Sequence, residues 1–219
     1  MKKITLFFAF ILGSLALAAQ SAQYTNAMTK GLVQLDSAKN AADFQAVANT
    51  FSRIAGAEPK EWLPLYYASF GNLISAFILY PTDVPKAVLA VDQAQASLDK
   101  AKLLAPQESE LAVMQAYILI GRLVENPMGR GAEITPQVYA ELGKAAALNP
   151  DNPRAPYLQG TYVLNMPEFY GGGAANAKPH FEKAAALFEK ETDRKLLPRW
   201  GKEENTKMLE QVKSSLGGK

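Results

Sequence analysis

The fold of this chain is decided by the stretch from Asn149 to Lys190, which reads NPDNPRAPYLQGTYVLNMPEFYGGGAANAKPHFEKAAALFEK. Asn152 is a good helix cap, and Pro153 fits the first helical position, where its missing N–H costs nothing. The helix that begins there stops at Pro167, and a second helix starts near Asn176. The stretch therefore predicts a complete helical hairpin.

The hairpin pattern recurs along the chain as alanine-rich segments separated by proline and glycine. No run of alternating β-branched residues predicts a strand. The predicted helix pairs are Tyr24–Ser37 with Ala42–Ala55, Trp62–Leu79 with Val84–Leu104, Glu108–Glu125 with Pro136–Leu148, and Arg154–Asn165 with Ala177–Lys190. A last helix is predicted at Trp200–Leu216, and long loops are predicted at Tyr80–Lys86, Asn126–Thr135 and Met166–Ala175. We therefore expect an all-α fold of four helix pairs with a C-terminal capping helix.

The predicted second helices align without gaps on three positions. A large apolar position holds Phe51, Leu98, Leu142 and Phe181; a mostly small position holds Ile54, Ala101, Ala145 and Ala184; a terminal position holds Pro59, Pro106, Pro150 and Glu189. The first helices align on the small residues Gly71, Ala116 and Gly160. Small residues let paired helices approach, a large side chain fills the gap between them, and proline ends the second helix.

This pattern resembles the tetratricopeptide repeat, over roughly residues 40–190. The resemblance implies a right-handed superhelix whose first helices line a concave groove. The periods of 47, 44 and 39 residues between the large positions exceed the usual ~34 residues of that family. The segment from Asn152 to Phe188 also resembles repeat proteins of the Gram-negative cell envelope, most of which have no assigned activity.

The N-terminus has the pattern of a secretory signal peptide. Lys2 and Lys3 precede the uncharged apolar run Ile4–Leu17, and small residues follow it. We predict cleavage after Ala19, with Ala18 and Ala22 as alternatives, which leaves residues 20–219 as a single helical repeat domain in the periplasm or outside the cell. The chain has no cysteine, so packing alone must stabilise an exported domain.

Charge excludes one class of partner. The chain has 219 residues, of which 48% are hydrophobic and 20% charged, which suits one domain with a sizeable core. Once the two signal lysines are removed, the remaining 21 basic residues equal the 21 acidic ones. A neutral chain without a basic stripe is not expected to bind nucleic acid.

No residue set predicts catalysis, a bound metal or a cofactor. His180 is the only histidine, and no cysteine or suitably placed serine could act with it as a nucleophile. We therefore predict a structural or solvent-facing His180 and a protein that is not an enzyme. The run Gly171–Gly173 lacks the preceding strand and following Lys-Ser/Thr of a phosphate loop. It favours a tight turn, with an anion site at the helix N-terminus as the alternative.

Two functions remain open for the predicted groove. The first is an exported scaffold that binds a peptide or protein partner in the groove. The alternative is a small-molecule carrier or transporter accessory protein with a pocket between the repeats and the long loops. The predicted binding residues, taken from the groove positions of the repeat family and from the loops, are Asn72, Tyr117, Arg130, Tyr157, Thr161, Asn165, Phe169 and Tyr170. Because stacked repeats align their loops along one edge, we expect Arg130, Phe169 and Tyr170 to lie near one another.

Overall fold

A computed structural model describes residues 22–192 and 195–217, so the predicted signal peptide lies outside the described residues. The regular structure within these ranges is helical, without a strand. The helices are α1 (residues 22–37), α2 (Ala41–Ala57), α3 (Trp62–Leu79), α4 (Val84–Leu104), α5 (Ser109–Glu125), α6 (Pro127–Leu148), α7 (Arg154–Asn165), α8 (Ala174–Phe188) and α9 (Lys202–Gly217), with a 3-10 turn at Glu168–Tyr170. The predicted all-α fold of helix pairs and a last helix is confirmed.

The helices pack as a superhelix with two layers. Each helix from α2 to α8 packs against the next helix along the chain. The first helices of successive pairs also touch each other, α3 against α5 and α5 against α7. These three helices therefore form a continuous inner layer, and we call their shared surface the inner face. The second helices α4, α6 and α8 form the outer layer.

Caps determine where the helices begin, and one cap overturns a predicted loop. The Asn126 side chain accepts a hydrogen bond from the Gly129 N–H at 2.9 Å, and Pro127 takes the first helical position. Helix α6 therefore begins at Pro127 and continues through Pro136. The loop predicted at Asn126–Thr135 was wrong, because the helix starts at the Asn126 cap with Pro127 in its first position, and Pro136 lies inside it.

Several other helix ends differ from the prediction by one to three residues, and glycine explains two of them. Helix α8 begins at Ala174, immediately after Gly173, whose φ of +89° ends the preceding turn. The last helix begins at Lys202 and not at Trp200, because Gly201 adopts a φ of +103° that breaks the helical path. Trp200 therefore belongs to an extended segment before α9.

The core consists of two hydrophobic clusters that meet at the centre of the array. One cluster is built mainly from α1 to α5, and the other from α5 to α9. Tyr117 and Trp200 pack against both clusters. These two side chains therefore join the two halves of the core.

The small residues of the first helices let a neighbouring helix approach closely. That neighbour is not always the second helix of the same pair, as was expected. A Cβ atom added to Gly160 would lie 2.8 Å from the ring of Phe181, the large residue of its own pair. One added to Gly71 would lie 2.9 Å from the Phe44 carbonyl of α2, the helix before it. Gly71 thus serves packing between pairs, which corrects the expectation that it serves packing within its own pair.

We expect Ala145→Leu and Ala184→Leu each to lower the free energy of unfolding by about 1–3 kcal/mol. Both alanines are fully buried on second helices, and the extra carbon atoms have no space there. Denaturant titration checks this, with exposed alanines of the same helices, Ala140→Leu and Ala186→Leu, as controls. Unchanged stability of both buried variants would show that the predicted alanine position is wrong.

Helix α3 is long and apolar enough to cross a membrane by length and composition. However, 67% of it is buried inside the protein. That degree of burial is expected of a core helix.

Candidate functional site

The inner face is crossed by the non-helical segment Leu196–Trp200, which we call the inner strap. The Tyr67 hydroxyl of α3 donates a hydrogen bond to the Leu196 carbonyl at 2.8 Å. Arg199 forms an ion pair of 2.8 Å with Asp36 near the end of α1. Pro198 is buried. The strap therefore covers part of the surface that the repeat resemblance offers to a partner.

Trp200 is the main contact of the strap with the inner face. Its ring stacks on Phe70 of α3, with centroids 5.4 Å apart, and on Tyr117 of α5, with centroids 5.6 Å apart. It meets the edge of Tyr157 of α7 at 6.1 Å. Its indole N–H donates to the Tyr66 hydroxyl at 2.8 Å. One side chain thus contacts all three inner helices.

The rings continue beyond Trp200 along the inner face. Phe77 lies 5.2 Å from Tyr117, so Phe70, Trp200, Tyr117 and Phe77 form one series, which we call the aromatic row. Phe70 is buried, whereas the other three side chains are half-buried. The row therefore presents an apolar and partly accessible surface.

Arg154 of α7 links the inner strap to two carboxylates of the array. Its guanidinium Nη1 lies 2.7 Å from Glu191 Oε1 and 3.3 Å from Glu110 Oε1, and Nη2 donates to the Pro198 carbonyl. Its Cζ atom lies 5.6 Å from the centre of the Trp200 ring. Burial alone would lower the pKa of Arg154, but Glu110 and Glu191 raise it, so the cation stays charged.

The Tyr117 hydroxyl lies on the inner face with a raised pKa. Burial raises the pKa of this phenol, and the neighbouring Tyr157 and Glu204 raise it further. The side chain nevertheless keeps some solvent exposure. Its hydroxyl forms no hydrogen bond with the part of the chain that the structure describes. Those properties suit a polar group on the floor of a concave surface.

The other predicted groove residues are less available. Asn72 is buried and accepts a hydrogen bond from Gln45 Nε2 at 3.0 Å. Tyr157 is buried beside Trp200. The Thr161 hydroxyl donates to the Tyr157 carbonyl at 3.1 Å, and the exposed Asn165 donates to the Thr161 carbonyl at 2.8 Å. Tyr117 is thus the predicted residue best placed to contact a ligand on the aromatic row.

Arg130, Phe169 and Tyr170 lie at the edge where first helices pass into second helices. Arg130 is in α6 and not in a loop, and it pairs with Glu125 at 3.3 Å. The exposed Phe169 and Tyr170 contact each other, with ring centroids 4.2 Å apart. No contact between Arg130 and these rings is present among the described residues, so their predicted proximity stays a prediction.

Exposed apolar side chains concentrate along this same edge, which we call the junction edge. Met128 is 95% exposed, Phe169 80% and Tyr170 71%. Members of the junction edge from three successive pairs are Ile78 and Val84, Val124 and Met128, and Phe169 and Tyr170. The junction edge is therefore a second apolar surface, more open than the aromatic row.

The glycine turn and the histidine have local roles. Gly171 and Gly173 both have positive φ angles, and a Cβ atom at Gly172 would lie 1.8 Å from the Met166 carbonyl. The turn thus requires glycine for its own geometry, as predicted. His180 is half-buried on the outer helix α8, and burial together with Lys183 lowers its pKa.

Two clefts lie at the Glu191 end of the array. One has a volume of 240 Å³ between Phe188, Glu191 and Arg199, and the other 280 Å³ between Asn149, Asn152 and Glu191. Both are smaller than a typical ligand pocket of roughly 300–1,000 Å³, and neither reaches the aromatic row. Neither cleft therefore offers a pocket to a ligand of the aromatic row.

Comparison with known proteins finds a similar solved structure but no matching sequence family. No family model matches the chain, and no curated protein does. A solved structure is similar: the HusA haemophore from Porphyromonas gingivalis. It is 28% identical to this chain, with a TM-score of 0.76, over 88% of this chain and 94% of HusA.

The similarity to HusA corrects the first predicted function. A haemophore is a carrier of haem, a small molecule, and not a scaffold for peptides or proteins. The prediction of a peptide- or protein-binding scaffold was therefore wrong, and the alternative of a small-molecule carrier is favoured. The inner strap is consistent with this correction, because it occupies part of the groove that a peptide would need.

Proposed function

We propose that this chain is a carrier of haem or of a closely related tetrapyrrole. The proposal rests on the similarity to the HusA haemophore, which spans nearly all of both chains at 28% identity. The match is not confined to one repeat, so it includes the helices that form the inner face. The carrier is non-enzymatic, since sequence analysis finds no set of residues for catalysis.

The aromatic row supplies a surface suited to such a cargo. Haem is a flat conjugated ring, and flat rings stack favourably on aromatic side chains. Phe77, Tyr117 and Trp200 are half-buried, so part of each side chain is accessible to a ligand.

We also propose that the chain is exported and that its helix pairs are tetratricopeptide-like repeats. The basic residues Lys2 and Lys3 and the apolar run after them support secretion across a membrane. The aligned small, large and proline positions support a tetratricopeptide-like origin of the helix pairs. A secreted carrier would bind its cargo outside the cytoplasm.

Hemin titration of the chain without residues 1–19 tests the proposal. We expect saturable binding, seen as a shift of the Soret band and as quenching of the tryptophan emission of Trp62 and Trp200. Phe77→Leu removes the exposed end of the aromatic row and keeps an apolar side chain. It should weaken binding by roughly 2- to 10-fold, the equivalent of one lost aromatic contact.

A double variant on the junction edge separates the two apolar surfaces. Phe169→Ala with Tyr170→Ala should leave hemin affinity unchanged if the cargo binds on the aromatic row. A loss of affinity in this variant, with Phe77→Leu unaffected, would move the site to the junction edge. If the wild-type chain does not change the absorption spectrum of hemin, the carrier proposal is refuted.

A further inference from the structure

The exposed rings of the junction edge stand on a backbone that is itself well fixed. Phe169 and Tyr170 lie on a 3-10 turn, in which the Tyr170 N–H donates to the Pro167 carbonyl at 3.0 Å. Just after this turn, the Gly173 N–H donates to the Val163 carbonyl of α7 at 3.0 Å. The two rings are therefore held in place before any contact forms, which lowers the entropy cost of docking.

Hydrogen bonds between successive helix pairs keep the junctions in line. The Tyr80 hydroxyl, at the junction of α3 and α4, donates to the Gly121 carbonyl of α5 at 2.8 Å. The Tyr162 hydroxyl of α7 lies 2.6 Å from the Thr135 hydroxyl of α6, and the two share a hydrogen bond. The junction edge is therefore a fixed surface that spans three helix pairs, and not a set of separate loops.

The apolar area of this surface matches that of an interface between proteins. Phe169 is 80% exposed and Tyr170 71%. An aromatic side chain covers roughly 200 Å², so these two rings together present about 300 Å². Met128, which is 95% exposed, and the three branched residues of the edge add to this area. A standard interface buries roughly 800 Å² on each partner, of which a little more than half is apolar.

The charges along the edge favour a second copy of this chain over a charged partner. Lys86 is paired with Asp83 at 2.7 Å, and Arg130 is paired with Glu125 at 3.3 Å. The exposed Glu168, next to the rings, adds one negative charge. These residues give the edge no excess of positive charge that would attract an anionic membrane or an acidic protein.

We propose that the junction edge is the interface of a homodimer with two-fold symmetry. In such an interface the same surface of both copies meets, and the two edges run in opposite directions. Met128, in the middle of the edge, then contacts its counterpart at the axis. The end with Val84 contacts the end with Phe169 and Tyr170 of the other copy, so Glu168 faces a neutral end and not a like charge. The dimer goes beyond the proposed carrier function and does not depend on it.

Sedimentation velocity of the chain without residues 1–19, in the absence of hemin, tests the dimer. We expect a monomer–dimer equilibrium with a dissociation constant on the order of 10 µM. Met128→Glu places two carboxylates face to face at the axis, and it should weaken the dimer at least ~10-fold. Leu103→Glu is the matched control, because Leu103 is 84% exposed but lies in the last turn of α4, at the opposite end of that helix from the junction edge.

A mixing experiment tests the two-fold axis itself. Met128→Glu and Met128→Lys should each dimerise weakly alone, because like charges meet at the axis. Mixed in equal amounts, they should form a heterodimer, since opposite charges then meet. Circular dichroism and melting temperature of both variants should stay at wild-type values, because the Met128 side chain is almost fully exposed.

Several results would contradict the dimer. A chain that stays monomeric up to ~1 mM, or a dimer that Met128→Glu leaves unchanged, would overturn it. Equal weakening by Leu103→Glu would place the interface elsewhere. Wild-type binding to phosphatidylcholine vesicles that Met128→Glu abolishes, without a dimer in solution, would identify a membrane-docking edge in its place. Hemin titration bears on the carrier function alone: a dimer that binds no hemin refutes the carrier and leaves the interface, and a monomer that binds hemin does the reverse.

Discussion

Replacement of Arg154 by Met is expected to lower the free energy of unfolding by about 3–5 kcal/mol. Arg154 is fully buried, and its guanidinium bridges Glu110, Glu191 and the Pro198 carbonyl. Removal of the cation leaves Glu110 fully buried beside Glu191 without their shared counter-charge. It also removes the hydrogen bond that Arg154 donates to the Pro198 carbonyl of the inner strap.

Denaturant titration and melting curves measure this effect. Arg199→Met is the control, because its ion pair with Asp36 is exposed and should be worth about 0–1 kcal/mol. Arg154→Met combined with Glu110→Leu should recover much of the loss, since it replaces both buried charges by apolar groups. A loss below ~1 kcal/mol in Arg154→Met would show that the buried ion network does not stabilise the fold.

Replacement of Trp200 by Ala is expected to lower the free energy of unfolding by about 3 kcal/mol, near the lower end for a large aromatic core residue. The lower end applies because Trp200 is only half-buried. The variant loses the stacking on Phe70 and Tyr117 and the hydrogen bond to Tyr66. It should also weaken hemin binding, because the aromatic row is interrupted.

Trp200→Phe separates the two contributions of this residue. Phenylalanine keeps an aromatic ring in the row and loses the indole N–H, so the expected loss is only about 1 kcal/mol. Stability of both variants is measured by thermal unfolding followed by circular dichroism. Wild-type stability of Trp200→Ala would mean that the strap is not docked on the inner face in solution.

Much of the helical architecture could be predicted because its signals are local. Proline, glycine and capping residues mark helix ends within a few positions, and the predicted helices Trp62–Leu79, Val84–Leu104 and Arg154–Asn165 agree with the structure. Where two such signals compete, as Pro127 and Pro136 do, the sequence alone does not rank them. The structure shows that the cap at Asn126 prevails and that α6 tolerates the second proline.

The candidate site was predicted only in part. Tyr117 was selected from its position beside a small residue of a first helix, and the structure places it in the aromatic row. Trp200 and Arg154 were missed as site residues. The Gly201 that follows Trp200 was an available sign that the last helix begins later. No local pattern, however, indicates what an extended segment will pack against.

The sequence by itself determined the all-α class and the pairing of helices, because both depend on neighbours within one hairpin. The tertiary structure decided what the inner face offers to a ligand. Residues separated by more than a hundred positions meet there, as Tyr66 and Trp200 do through a 2.8 Å hydrogen bond. Contacts of that range depend on how the stacked pairs curve, and curvature is the sum of many small packing angles that no single segment encodes.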